Sequence, residues 1–116
     1  MTEPDDALRT HIDSFNAAVR GGGWTDFSAT FADDAVMAFV GVPVGPYVGR
    51  EAIAEAYRER PPVDTITVTS VRTLAPDTAS ALFRWDSGGT GSMTVRWFRG
   101  SVAELTVVFD EDGQAG

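Results

Sequence analysis

The strongest constraint in the sequence is a change of period at Pro61-Pro62. Before it, apolar residues recur at helical spacing; after it, they alternate. Leu8, Ile12, Phe15 and Val19 fall at i, i+4, i+7 and i+11, which predicts a helix over 6–20. Asp5 or Asp6 is expected to cap it, and Gly21-Gly22-Gly23 to stop it. Trp24, Phe27 and Phe31 at i, i+3 and i+7 predict a short second helix, with Asp33 and Asp34 in the turn behind it. Val36–Val40 has the length and apolarity of a strand, and residues 41–49, with Pro43, Gly45 and Pro46, read as a loop. A third helix is expected over 50–60, with Ile53 and Tyr57 on one face and Pro61-Pro62 as its stop.

Past Pro62 the alternation of Thr65-Ile66-Thr67-Val68-Thr69 begins a strand that runs to about Leu74. Further strands are expected over 78–86, 92–98 and 101–110, joined by Ala75-Pro76-Asp77, a Gly-rich hairpin and a tight Arg99-Gly100 turn. The tail from Glu111 is expected to fray. Helices followed by a four-stranded antiparallel meander make an α+β pattern. No repeat or linker divides the 116 residues, so one domain is expected over 1–116, with its core at about 7–110.

Composition narrows the chemistry. Seventeen acidic against nine basic residues give a net charge of −8, which repels phosphate backbones and anionic bilayers, so neither nucleic acid nor membrane is an expected partner. All the basic residues are arginine, which excludes a lysine Schiff base. The lack of cysteine removes thiolate chemistry, and a single histidine, His11, argues against a zinc site; no metal and no cofactor are expected. With no signal-like segment at Met1–Asp6 and no membrane-length apolar run, a cytoplasmic location is expected.

The blocks Phe31-Ala32-Asp33-Asp34-Ala35 and Gly49-Arg50-Glu51-Ala52-Ile53, with Tyr57 beyond, resemble the conical, cystatin-like fold shared by nuclear transport factor 2, ketosteroid isomerases and SnoaL-like polyketide cyclases. The resemblance spans roughly residues 7–110. It implies about three N-terminal helices packed on a curved, mostly antiparallel sheet that encloses a pocket. It specifies fold better than activity, because this fold hosts isomerases, cyclases, dehydratases and non-catalytic binders. The Gly/Ala/Arg-rich, lysine-free composition points to a high-GC bacterium and raises the expectation of secondary metabolism.

Laid over the ketosteroid isomerase pattern, the catalytic base position falls on Phe39, the helix-1 tyrosine on Phe15 and the acid donor near Met93. All three groups are absent, so the usual ketosteroid isomerase mechanism is not expected. Tyr57 matches the helix-3 tyrosine of some relatives. The same overlay turns Ser80, Leu82, Arg84 and Asp86 toward the pocket, and Ala81, Phe83 and Trp85 outward, where Phe83 and Trp85 would be covered by a homodimer partner. On that reading Asp86 or His11 is the acid–base group, Tyr57 a donor and Arg84 an anion holder. Phe15, Phe39, Leu82, Met93, Val95 and Trp97 would contact a hydrophobic small molecule. Plain hydrophobic alternation opposes the overlay, placing Phe83 and Trp85 in the core and Arg84 and Asp86 on the solvent face. The first assignment implies a cofactor-independent isomerase, cyclase or dehydratase acting on a carbonyl-bearing or polycyclic molecule; the alternative is a non-catalytic, dimeric small-molecule-binding module.

Overall fold

The computed structural model describes residues 3–110; the expected fraying tail lies outside them. Helix α1 spans Pro4–Gly21, α2 Trp24–Ser28 and α3 Arg50–Glu59. The strands are β1 Phe31–Val40, β2 Tyr47–Val48, β3 Ile66–Ala75, β4 Thr78–Trp85, β5 Thr90–Phe98 and β6 Ser101–Phe109.

They form one six-stranded sheet in the order β2-β1-β6-β5-β4-β3. The expected meander from β3 to β6 is antiparallel throughout, and only β1 joins in parallel, beside β6. The helices pack on one face, α1 over β3 and β4 and α3 over β1. This is the α+β cone that the residue blocks resembled.

Helix α1 starts earlier than Asp6. Glu3 holds the cap position without a side-chain hydrogen bond, Pro4 occupies the first turn, and Asp5 and Asp6 stand within that turn, where acids suit the helix dipole. Gly22 closes the helix in the left-handed region at φ 78°, so a glycine is needed there. Asn16 anchors α1 to the free edge of β3. Its Nδ2 donates to the Ile66 carbonyl and its Oδ1 accepts from the Ile66 N–H, both at 2.9 Å. The side chain thus takes the place of a neighbouring strand for one residue.

Other boundaries differ from the sequence expectation as well: within the expected 41–49 loop Tyr47 and Val48 pair with Met37 and Val36 as β2, and β5 begins at Thr90 instead of Ser92. Helix α2 stops at Ser28, and Phe31 begins β1 instead of ending the helix, because its backbone pairs with Val102. Asp33 and Asp34 therefore lie within β1, not in a turn. Between Phe31 and Val36 the strand advances five residues while β6 advances two, from Val102 to Glu104, so the acidic pair bulges out to solvent. Arg50, at the start of α3, clasps this bulge through the Asp33 carboxylate and the Phe31 carbonyl.

The core fills the space between helices and sheet, centred on Leu8, Ile12, Phe31, Ile53, Phe83 and Val95. Gly91 makes room for one of these. A Cβ there would stand 2.9 Å from the Phe83 ring and 2.5 Å from the Val108 carbonyl oxygen.

Candidate functional site

The helices do not fill the concave face of the sheet completely. A cavity of about 200 Å³ remains, walled by Phe15 and His11 of α1, Tyr57 of α3 and Pro62 of the following loop. Its sheet side is made by Phe39, Ile66, Phe83, Trp85, Met93, Leu105, Val107 and Phe109. Strand alternation explains the apolar lining, since one set of alternate residues on each of the five long strands faces the helices. One end of the cavity carries an aromatic group: Trp85 stacks on Phe109 at 5.7 Å and 12°, and Phe39 approaches Phe109 at 6.3 Å.

The face of β4 is the opposite of the one the overlay implied. Phe83 is 2% exposed and lines the cavity with Trp85, whereas Leu82 is 55% exposed and Arg84 and Asp86 stand on the outer, solvent side. The physical reason is desolvation: facing inward, strand β4 would have buried a guanidinium and a carboxylate while exposing two large aromatics. Asp86 instead accepts hydrogen bonds from the hydroxyls of Thr65 and Thr67, the latter at 2.6 Å, and these bonds hold its carboxyl below the usual range. Phe83 and Trp85 are therefore not on the outer sheet face, where the overlay would have had a homodimer partner cover them. Of the other expected contact residues, Phe15, Phe39 and Met93 line the cavity, Val95 is fully buried within the core, and Trp97 faces a different space on the flank of α1.

His11 and Tyr57 are the two titratable groups that the fold brings to the cavity. His11 is 7% exposed, packed against Phe27 at 5.0 Å and Phe31 at 5.9 Å between ring centroids. Burial lowers its pKa to about 4, so the imidazole is neutral at physiological pH and offers one donor and one acceptor nitrogen. Tyr57 is also 7% exposed, and burial raises its phenol well above the ordinary value, keeping it a hydrogen-bond donor. Its ring stacks on Trp24 at 4.8 Å and 6° and meets Phe27 edge-on at 5.4 Å. The lining is almost wholly apolar, and among the described residues His11 and Tyr57, with the indole of Trp85, are the lining residues whose side chains carry a hydrogen-bonding nitrogen or oxygen. Among the described residues no group of three His, Cys, Asp or Glu side chains could hold a metal ion, and no helix is long and apolar enough to cross a membrane.

The family model for the SnoaL-like domain matches residues 12–115. The chain belongs to the SnoaL-like family. Solved structures agree on its architecture. RV0760c from Mycobacterium tuberculosis, determined in complex with estradiol-17beta-hemisuccinate, matches with a TM-score of 0.73 at 19% identity over 97% of this chain and 98% of its own. A computationally designed 17-OHP binder matches with 0.73 at 17% identity over 97% and 95%. A candidate ketosteroid isomerase from Kribbella flavida DSM 17836 gives 0.69 at 19% identity over 94% and 82%. At these identities the likeness establishes the SnoaL-like cone and no more. No curated protein matches the sequence.

Pro62, Ile66, Leu105, Val107 and Phe109 line the cavity without having been among the expected site residues, and Phe83 and Trp85 were turned inward by plain alternation but not by the overlay. For β4 the signal was the alternation of Ala81, Phe83 and Trp85 with Ser80, Leu82 and Arg84; for β6 it was the alternation of Leu105, Val107 and Phe109 with Glu104, Thr106 and Val108.

Proposed function

We propose that this SnoaL-like protein binds a small, largely apolar molecule of one or two rings that carries a carbonyl or hydroxyl group. The observation that carries this reading is the cavity itself: about 200 Å³, apolar on nearly every side, with Tyr57 and His11 among its hydrogen-bonding groups. A cavity of roughly 150 Å³ holds benzene, and drug-sized ligands occupy about 300 Å³ or more. This one therefore suits a one- or two-ring ligand whose oxygen is met by the Tyr57 hydroxyl or a His11 nitrogen. The structural neighbours that hold steroid ligands support an apolar, oxygen-bearing class while exceeding the cavity in size.

The same pair supports a second reading, a cofactor-independent isomerase. Tyr57 would donate to a ligand carbonyl while His11 takes a proton from the adjacent carbon and returns it elsewhere. Neutral His11 is free to accept that proton, but its lowered pKa of about 4 makes it a weak base at pH 7. Binding is accordingly the better-supported role.

A homodimer through the outer sheet face would rest on Leu82, Val108 and Val40, which lie in one cross-strand row with Ser92 between, instead of on Phe83 and Trp85.

The deciding experiment is calorimetric titration with one-, two- and four-ring ketones. For about 11 heavy atoms, at roughly 0.5 kcal/mol each, the two-ring ketone is expected to bind with a Kd on the order of 100 μM. Preference for the four-ring ketone, or no binding of any, counts against the reading. Exchange of the ketone's α-hydrogens in D₂O, lost in His11→Leu, would favour the isomerase.

A further inference from the structure

His11 borders a second space. On its other side an open cleft of about 560 Å³ runs between α1 and the β5–β6 hairpin, with Thr10 and Ser14 on its helical wall and Trp97, Asp77 and Arg99 on the sheet side. His11 is the one described residue that lines both this cleft and the interior cavity. Its ring packs tilted against Phe27 at 46° and near-perpendicular to Phe31 at 70°, and no side-chain hydrogen bond to it is found among the described residues. A partition of this kind is held by packing alone.

The two spaces are chemically unlike. The cavity offers apolar surface and almost no charge. The cleft offers hydroxyls, an indole, one carboxylate and one guanidinium. Its two charges are not equally available. Asp77 accepts the Thr78 hydroxyl at 2.8 Å and lies within the electrostatic reach of Arg96. Arg99 has no ion-pair partner among the described residues, whose salt bridges are Arg50–Asp33 and Arg96–Glu104. Its guanidinium lies only over the exposed Phe98 ring, at 5.2 Å. Charge complementarity therefore favours an anionic head on the cleft side.

We infer that cavity and cleft are two halves of one amphipathic site, partitioned by the His11 ring, whose ligand places its apolar body in the cavity and a carboxylate at Arg99. The inference rests on the binding reading above and specifies its ligand. Displacement of that single side chain would join the cavity to the larger cleft, so that the ring-bearing body stays in the cavity while a chain reaches out of it. His11 is then a specificity-determining residue that sets how long a ligand can be.

The test is a calorimetric series of ω-phenylalkanoic acids of increasing chain length, each paired with its methyl ester. Within the cavity each buried methylene raises affinity about fourfold for acid and ester alike. Once the chain is long enough to pass His11, the acid is expected to gain about fivefold over its ester, the value of one exposed ion pair. That acid-to-ester ratio falls back in Arg99→Gln, rises in Asp77→Asn, and is unmoved in Arg58→Gln, a charge-matched control on α3. In His11→Ala the gain begins at a shorter chain length. An unchanged ratio in Arg99→Gln, or tighter binding of the corresponding ω-phenylalkylamines, overturns the inference while leaving the binding reading intact. Failure of every acid and ester to bind overturns both.

Discussion

The Tyr57 ring lies flat on the Trp24 indole, 4.8 Å between centroids and 6° from parallel. This contact ties α3 to α2 and holds the only phenol of the cavity wall. The ring is fixed on a second side by Phe27. The Tyr57 ring is thereby held in one orientation, and on the binding reading its hydroxyl would be a positioned donor rather than a mobile one.

Tyr57→Phe keeps the stacked ring and removes the hydroxyl. The expected result is a melting temperature close to wild type and a loss of about 0.5–1.5 kcal/mol in binding of a two-ring ketone, with little change for the hydrocarbon of the same shape. Parallel titrations of the two ligands measure the difference.

His11 makes stability depend on pH. Its folded pKa of about 4 lies below the ordinary value of 6.5, so between these values the unfolded chain takes up a proton that the folded protein refuses. Stability is therefore lost as pH falls through 6.5 and the loss is complete below 4, with about 2 kcal/mol gone between pH 7.5 and 5. Urea denaturation of wild type and His11→Leu at both pH values isolates this contribution, because the acidic residues common to both proteins cancel. Equal losses in the two proteins would contradict it.

Asp86→Asn separates the two assignments of β4. With the carboxylate on the outer face, bound to Thr65 and Thr67, the substitution is expected to leave ketone affinity unchanged within about twofold. It reduces the rise in stability with pH through the carboxylate range, because a depressed folded pKa contributes stability that is complete above the unfolded value and lost as pH falls through the folded one. A tenfold loss of affinity would return Asp86 to the site.

Gly91→Ala tests the packing beneath the cavity. The added methyl meets both the Phe83 ring and the Val108 carbonyl, and the backbone oxygen cannot yield as a side chain can. A loss of about 1–3 kcal/mol in unfolding free energy is expected.

The fold was legible because it is written in period and punctuation: the Leu8–Val19 stripe, the Pro61-Pro62 stop and the alternation that follows each depend on local sequence. The parallel pairing of β1 with β6 was not, since it joins residues about seventy positions apart and leaves no local mark. Phe31 misled for the same reason, its helical spacing being outweighed by pairing with Val102. The site was half legible. His11, Phe15, Phe39 and Tyr57 line the cavity as the helix and strand faces implied, but for β4 the family pattern and hydrophobic alternation pointed to opposite faces, and the pattern carries no measure of the burial cost of Arg84 and Asp86. Alternation, the cheaper physical rule, had the orientation right.

The most direct test of the cavity as the ligand site is a methyl-resolved NMR titration with a two-ring ketone. The account predicts that the methyl signals of Ile66, Met93, Leu105 and Val107 shift on binding while those of Leu82 and Val40 on the outer face stay in place. Shifts confined to Leu82 and Val40, with the four interior residues silent, would contradict it.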